Sequence, residues 1–196
     1  MVPELARIGV EHITLPVAKK NPIQLWFNAK KMAQIFKEKN AGLIHVRSRA
    51  PAWSVKWACA QTKIPYIATY HGCYGIKPAI KKLYNRVMVQ GEKVIAVSEF
   101  IKKHLIEEYQ VPEDKIVVIP RGADVTLFNP ERVTSENIQD FLTKYNIPED
   151  KPIVSLVGRL TRIKGQSVLL EAIKQMKNQT MTVLFVGGNA KADYDK

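Results

Sequence analysis

A chain of 196 residues, 46% of them apolar, carries enough hydrophobic material for one good-sized core and is neither a disordered nor a fibrous protein. Its formal net charge of +12 is unevenly placed: residues 1–104 hold 18 Lys and Arg against 5 Asp and Glu, whereas residues 105–196 hold 12 against 13. A basic first half predicts a lobe that faces an anionic surface, and since no helix-turn-helix, zinc-finger or ribonucleoprotein motif is present, membrane lipid or anionic glycolipid is expected there rather than nucleic acid.

Near the start, Pro3, Glu4, Arg7 and Glu11 interrupt any apolar run, so no secretory signal is read. No later stretch approaches the roughly 20 apolar residues of a membrane span. The expectation is a cytoplasmic protein, peripheral on the inner face of the cytoplasmic membrane. Hydrophobic periodicity then predicts strand Ile8–Ile13, helix Ile23–Lys39, strand Leu43–Val46, helix Ala52–Gln61, strand Tyr66–Tyr70 and helix Pro78–Val89. Strand Val94–Val97, helix Glu99–Tyr109, strand Ile116–Ile119, helix Glu136–Tyr145, strand Ile153–Val157, helix Gln166–Lys177 and strand Val183–Val186 follow. Such alternation specifies an α/β fold with a parallel sheet. Cys59 and Cys73 lack metal-ligand spacing and read as reduced apolar fillers.

Pro120, Gly122, Pro130, Pro148 and Pro152 cluster with polar residues, which predicts a first domain over residues 1–130, a linker over 131–152 and a second domain over 153–196. Only strand, helix and strand follow the linker, too little to bury both faces of two apolar strands. The helix Pro78–Val89 sets Ile80, Leu83, Tyr84, Val87 and Met88 on one face, with Lys81, Lys82 and Arg86 around the other. A core helix with a solvated basic face accounts for this pattern. A basic face resting on anionic lipid is the sharper alternative.

The octapeptide Gly158-Arg159-Leu160-Thr161-Arg162-Ile163-Lys164-Gly165 joins a short β-branched strand to a helix with Val168, Leu169, Ala172, Ile173 and Met176 at helical spacing. Arg159 and Lys164 are therefore expected at the carboxyl edge of a strand beside a helix N-terminus, where unpaired N–H groups and the helix dipole favour an anion. Phosphate or diphosphate is the expected ligand, a solvated basic loop the alternative.

Tyr70-His71-Gly72, Val94-Ile95-Ala96-Val97-Ser98 and Val118-Ile119-Pro120-Arg121-Gly122-Ala123-Asp124 with Phe128-Asn129-Pro130 precede that loop in order. Together with it they resemble the retaining glycosyltransferases of family 4, over most of residues 40–190. The resemblance implies a GT-B-like architecture, in which a Rossmann-like acceptor domain is followed by a Rossmann-like donor domain. The stretch His45-Val46-Arg47-Ser48-Arg49-Ala50-Pro51-Ala52-Trp53 is similar to bacterial members of the envelope polysaccharide and lipopolysaccharide branch.

By that resemblance the substrate pair is a nucleotide diphosphate sugar and a glycolipid or polysaccharide acceptor, and neither metal nor cofactor is needed. Arg159 and Lys164 match the family's diphosphate-binding Arg and Lys. His71, which on its own also reads as a loop histidine bonded to backbone, matches the histidine that orients a donor-sugar hydroxyl. Arg121 stands where the family commonly has Asn. Asp124 reads equally as a turn residue or a cleft residue, and Ser98 as a helix N-cap. Gly187, with Gly188, could contact nucleotide, and Arg47 and Arg49 could meet an anionic acceptor. The family's pair of glutamates separated by seven residues does not occur after Gly165, and its first strand and Gly-rich loop are not found before Ile8. The expectation is therefore the middle of a longer enzyme. Such a chain either acts with a second polypeptide carrying the missing donor half or is a non-catalytic remnant that binds membrane or a partner.

Overall fold

A computed structural model of the chain describes residues 2–17, 21–75, 77–177 and 180–188. It divides into two compact units, Met1–Gly122 and Ala123–Lys196.

In the first unit the expected strand Ile8–Ile13 does not form. Val2–Arg7 is a short helix, α1, and Gly9 at φ 73° closes it. The Val10 N–H reaches the Leu5 carbonyl and the Gly9 N–H the Ala6 carbonyl, a left-handed terminus that a glycine adopts without strain. The residues after it, including Ile8 and Ile13, stay exposed. Asn21 accepts from the Ile23 N–H and Pro22 sits in the first turn, which starts α2 (Pro22–Glu38). Leu25, Asn28, Ala29, Met32 and Ala33 form its buried stripe.

There follow β1 (Ile44–Val46), α3 (Arg49–Thr62), β2 (Tyr66–Tyr70), α4 (Ala79–Asn85) with a tight turn over Arg86–Val89, β3 (Val94–Ala96), α5 (Glu99–Tyr109) and β4 (Ile116–Val118). Ser98 caps α5 by accepting from the Ile101 N–H, as its sequence position predicts. The four strands pair parallel in the order β1-β2-β3-β4. A sheet wound in one direction by right-handed crossovers receives its helices on one face. Accordingly α2, α3, α5 and the 86–89 turn share one core with Val46, Tyr66, Ala68, Tyr70, Val94, Ala96 and Ile116. The opposite face pairs His45 with Ile67, and Thr69 with Ile95 and Val117; apart from buried Thr69 these residues are half-buried or exposed.

In the second unit Thr134 and Asn137 form a reciprocal capping box that starts α6 (Ser135–Lys144), inside the stretch expected as a linker. Beyond it, β5 (Ile153–Val157) pairs parallel with β6 (Thr182–Val186), and α7 (Gln166–Lys174) connects them. As the shortage of covering elements implies, Ile153–Val157 is not buried on both faces: its residues alternate between exposed and half-buried, with Val157 74% exposed. Two strands and a nine-residue helix offer too little surface to cover either face.

Candidate functional site

At the carboxyl end of β1–β4, the edge where parallel α/β sheets take ligands, the first unit brings together His45, Arg47, His71 and Arg121. A cavity of about 380 Å³ there is lined by His45, Arg47, Thr69, His71, Arg121 and the apolar Ile95, Val97 and Ile119. Arg121 Nη2 lies 3.0 Å from His71 Nδ1. A guanidinium can only donate, so Nδ1 must supply the lone pair, and the imidazole proton sits on Nε2. Burial, and then the positive charges of Arg121 and Arg47 with His45, hold the His71 pKa below its ordinary 6.5. Nε2 of His71 is thus an N–H donor on a neutral ring. His45 Nε2 is 2.7 Å from Thr69 Oγ1, and burial followed by Arg47 lowers its pKa as well. Arg47 is exposed and has no ion-pair partner among the described residues. Among the described residues no carboxylate lines the cavity.

In the second unit the loop 158–165 is built as its sequence suggests. The Gly158 N–H donates to the Val186 carbonyl and the Leu160 N–H to the Gly188 carbonyl, so the loop leaves the strand pair directly. Buried Gln166 donates Nε2–H to the Arg159 carbonyl at 3.0 Å and pins the loop to the first turn of α7. Residues Arg162–Lys164 form a 3-10 turn, and Gly165 at φ 79° turns the chain into α7. The Lys164 stem runs across Gly158, where a Cβ would sit 3.4 Å from Lys164 Cδ. Arg159 and Lys164 are exposed and lack ion-pair partners among the described residues, beside a helix start whose first N–H groups have no helical acceptor. The Thr161 hydroxyl is buried there without a hydrogen-bond partner among the described residues. This arrangement can hold an anion.

The remaining candidates find other duties. Arg49 is not free for an acceptor: Nη1 donates to Asn85 Oδ1 at 2.9 Å and the guanidinium lies over the Tyr74 ring at 4.0 Å. It ties the start of α3 to the end of α4. The Asp124 carboxylate accepts from the Thr126 and Leu127 N–H groups, which is the turn reading. Gly187 is required by packing, since a Cβ there would lie 2.0 Å from the Gly158 carbonyl oxygen. On α4, Ile80 and Leu83 are 71% and 61% exposed, so the apolar stripe expected in the core is only half there. Lys82 pairs with Glu108 at 3.4 Å, while Lys81 and Arg86 face solvent. Cys59 is the buried filler expected, its thiol pushed up to about 11 by burial, but Cys73 is exposed.

A family profile described as Glycosyltransferase Family 4 matches residues 2–127, well over half of the chain. The chain belongs to glycosyltransferase family 4. This family 4 chain is 42% identical to a glycosyltransferase from Rickettsia africae ESF-5, over 95% of its own length and 49% of that chain, with a TM-score of 0.78. HepE of Anabaena in complex with UDP-glucose superposes with the same TM-score at 20% identity, over 99% of this chain and 52% of that one, which establishes a GT-B-like fold. An alpha-monoglucosyldiacylglycerol synthase from Streptococcus pneumoniae is 25% identical over 81% of this chain. A D-inositol 3-phosphate glycosyltransferase from Corynebacterium kroppenstedtii is 29% identical over 53% of it. The chain spans 39% and 23% of the lengths of those two curated relatives.

Within the family 4 chain, sequence reading passed over His45, Thr69 and Gln166. The signal was there for two of them, since His45 and Thr69 are polar residues on the alternate face of otherwise apolar strands. The expected metal independence meets a sequence feature of the opposite sign: Asp193-Tyr194-Asp195 is an Asp-x-Asp triplet, and it lies outside the described residues.

Proposed function

We propose that this chain is the acceptor-side domain and the first part of the donor-side domain of an enzyme that moves a sugar from a nucleotide diphosphate sugar, with retention, to a glycolipid or polysaccharide acceptor of the bacterial envelope. The observation that carries the reading is the loop 158–165, which sets Arg159 and Lys164, without ion-pair partners among the described residues, beside the start of α7. Transfer creates negative charge on the departing diphosphate. Fixed cations stabilise it: Arg159 by a planar bidentate contact, Lys164 as a compact charge, without a metal. His71 offers Nε2–H to a sugar hydroxyl and acts by positioning. The family match, and HepE's binding of UDP-glucose on the same fold, support the donor class.

Thermal unfolding of the purified chain with millimolar UDP, GDP and their sugar conjugates tests this. Ligand about 100-fold above its Kd stabilises by about 2.7 kcal/mol. The transition should rise with nucleotide in the parent and stay put in Arg159→Ala and Lys164→Ala. A shift that survives both substitutions, or no shift at all, overturns the donor-site reading and favours a non-catalytic chain or one that needs a second polypeptide.

Peripheral membrane binding on the cytoplasmic side is part of the same reading. It is supported by the exposure of Ile80 and Leu83 beside Lys81 and Arg86. Exchange of Lys81, Lys82 and Arg86 for Glu should abolish sedimentation with anionic liposomes, and unchanged sedimentation would remove the membrane from the proposal.

A further inference from the structure

The cavity at the end of β1–β4 concentrates positive charge to a degree that a site for a neutral sugar alone does not require. Arg47, Arg121, His45 and His71 all line it, and among the described residues no carboxylate does. Elsewhere in the first unit Lys39, Lys82 and Lys102 each have a Glu partner. Here like charges are held together instead, and their mutual influence is visible in the two imidazoles, whose lowered pKa values trace in part to Arg47 and Arg121. The geometry also sorts the donors. Arg121 spends one N–H on His71 Nδ1 and keeps the rest of its fork, and His71 turns Nε2–H outward. Arg47 has its whole guanidinium available. Two guanidinium forks in one cavity suit the three terminal oxygens of a phosphate monoester better than the two of a carboxylate.

We propose that the sugar acceptor carries a phosphate group and that Arg47 and Arg121 bind it in this cavity, with the imidazoles of His45 and His71 in its wall. Arg121 then has two tasks, charge partner to the phosphate and positioning residue for His71. The inference rests on reading the first unit as the acceptor side of a glycosyltransferase. The phosphate is distinct from the donor's diphosphate, which that reading assigns to Arg159 and Lys164.

The test uses the full chain and two readouts, calorimetric titration and the NMR shifts of the His45 and His71 ring protons. The probes are inorganic phosphate, glucose 6-phosphate, glucuronate, glucose and UDP. Phosphate and glucose 6-phosphate should bind and move both histidines, glucuronate should bind at least about tenfold more weakly, and glucose should leave the histidines unmoved. Arg47→Ala and Arg121→Ala should each weaken phosphate binding about tenfold or more, and Arg47→Lys should recover part of it. UDP binding should be insensitive to both Ala substitutions and sensitive to Arg159→Ala. Absence of histidine shifts with millimolar phosphate overturns the proposal, as does glucuronate binding equal to glucose 6-phosphate. UDP affinity falling as far in Arg121→Ala as phosphate affinity does would also overturn it, by giving the cavity to the donor. Loss of UDP binding in the parent chain would break the donor-site reading alone, because the phosphate titration reads the first unit independently.

Discussion

The two units are made of the same elements and differ in what covers them. In Met1–Gly122, four strands and three long helices enclose one apolar core in which Tyr70, Val87, Met88, Val94 and Leu105 are wholly buried. In Ala123–Lys196, Ile147 is the one buried apolar residue among those described, and Ile153, Val157, Ile163, Val168, Leu170, Phe185 and Val186 are exposed. Parallel strands are stable when both faces are covered. The first sheet has one face covered and the second has neither. Core stability should therefore reside in the first unit, while the second holds its loop 158–165 by local hydrogen bonds.

Four substitutions would break or sharpen that contrast. Leu105→Ala removes a fully buried side chain from the core and should cost about 2–5 kcal/mol. Val157→Ala, at an exposed strand end, should stay within about 0.5 kcal/mol. Urea unfolding followed by tryptophan fluorescence reads the first unit selectively, because Trp26, Trp53 and Trp57 all lie there. Equal costs would mean that the second unit shares the core of the first.

The next largest effect is expected of Gly187→Ala, whose Cβ would collide with the Gly158 carbonyl. Overpacking of this kind costs about 1–3 kcal/mol. Hydrogen exchange should show the loss confined to β5, β6 and loop 158–165, and protection of α3 and α5 that fell as well would contradict the independence of the units.

The smallest effect is electrostatic and belongs to His71. Its depressed pKa means that the unfolded chain takes up a proton first as pH falls below 6.5. The stability linked to this group is complete above that value and declines on acidification through the folded pKa. In Arg121→Ala the NMR titration midpoint of His71 should move up yet remain below 6.5, since burial is the larger cause and Arg121 the second. A midpoint unchanged by the substitution would separate His71 from Arg121.

Much of the architecture was legible because it is local. The strands Tyr66–Tyr70 and Ile153–Val157 and the helix Glu99–Tyr109 have the predicted ends, since apolar periodicity and the Ser98 cap lie within each segment. Ile8–Ile13 misled for the same reason. Its composition suits a strand, but a strand needs a partner edge, and none of the described strands pairs with it, while Gly9 serves as the terminus of α1. Ile80 and Leu83 show the corresponding limit on α4: helical spacing says which residues share a face, not whether another element covers that face.

By itself the sequence determined the α/β class, the order of the elements and the loop that places Arg159 and Lys164 beside a helix start, because each follows from neighbours a few residues apart. Only the tertiary structure decided which basic residues are engaged and which are free. Arg49 and Asn85 are 36 residues apart in the chain and Arg121 and His71 are 50 apart, and the parallel crossovers bring each pair within hydrogen-bond reach. The guanidinium of Arg49 is thereby committed to packing and that of Arg121 to orienting an imidazole, whereas Arg47, two residues from Arg49, remains available for an anion. Composition cannot separate these three arginines, because what distinguishes them is contact across the sheet edge.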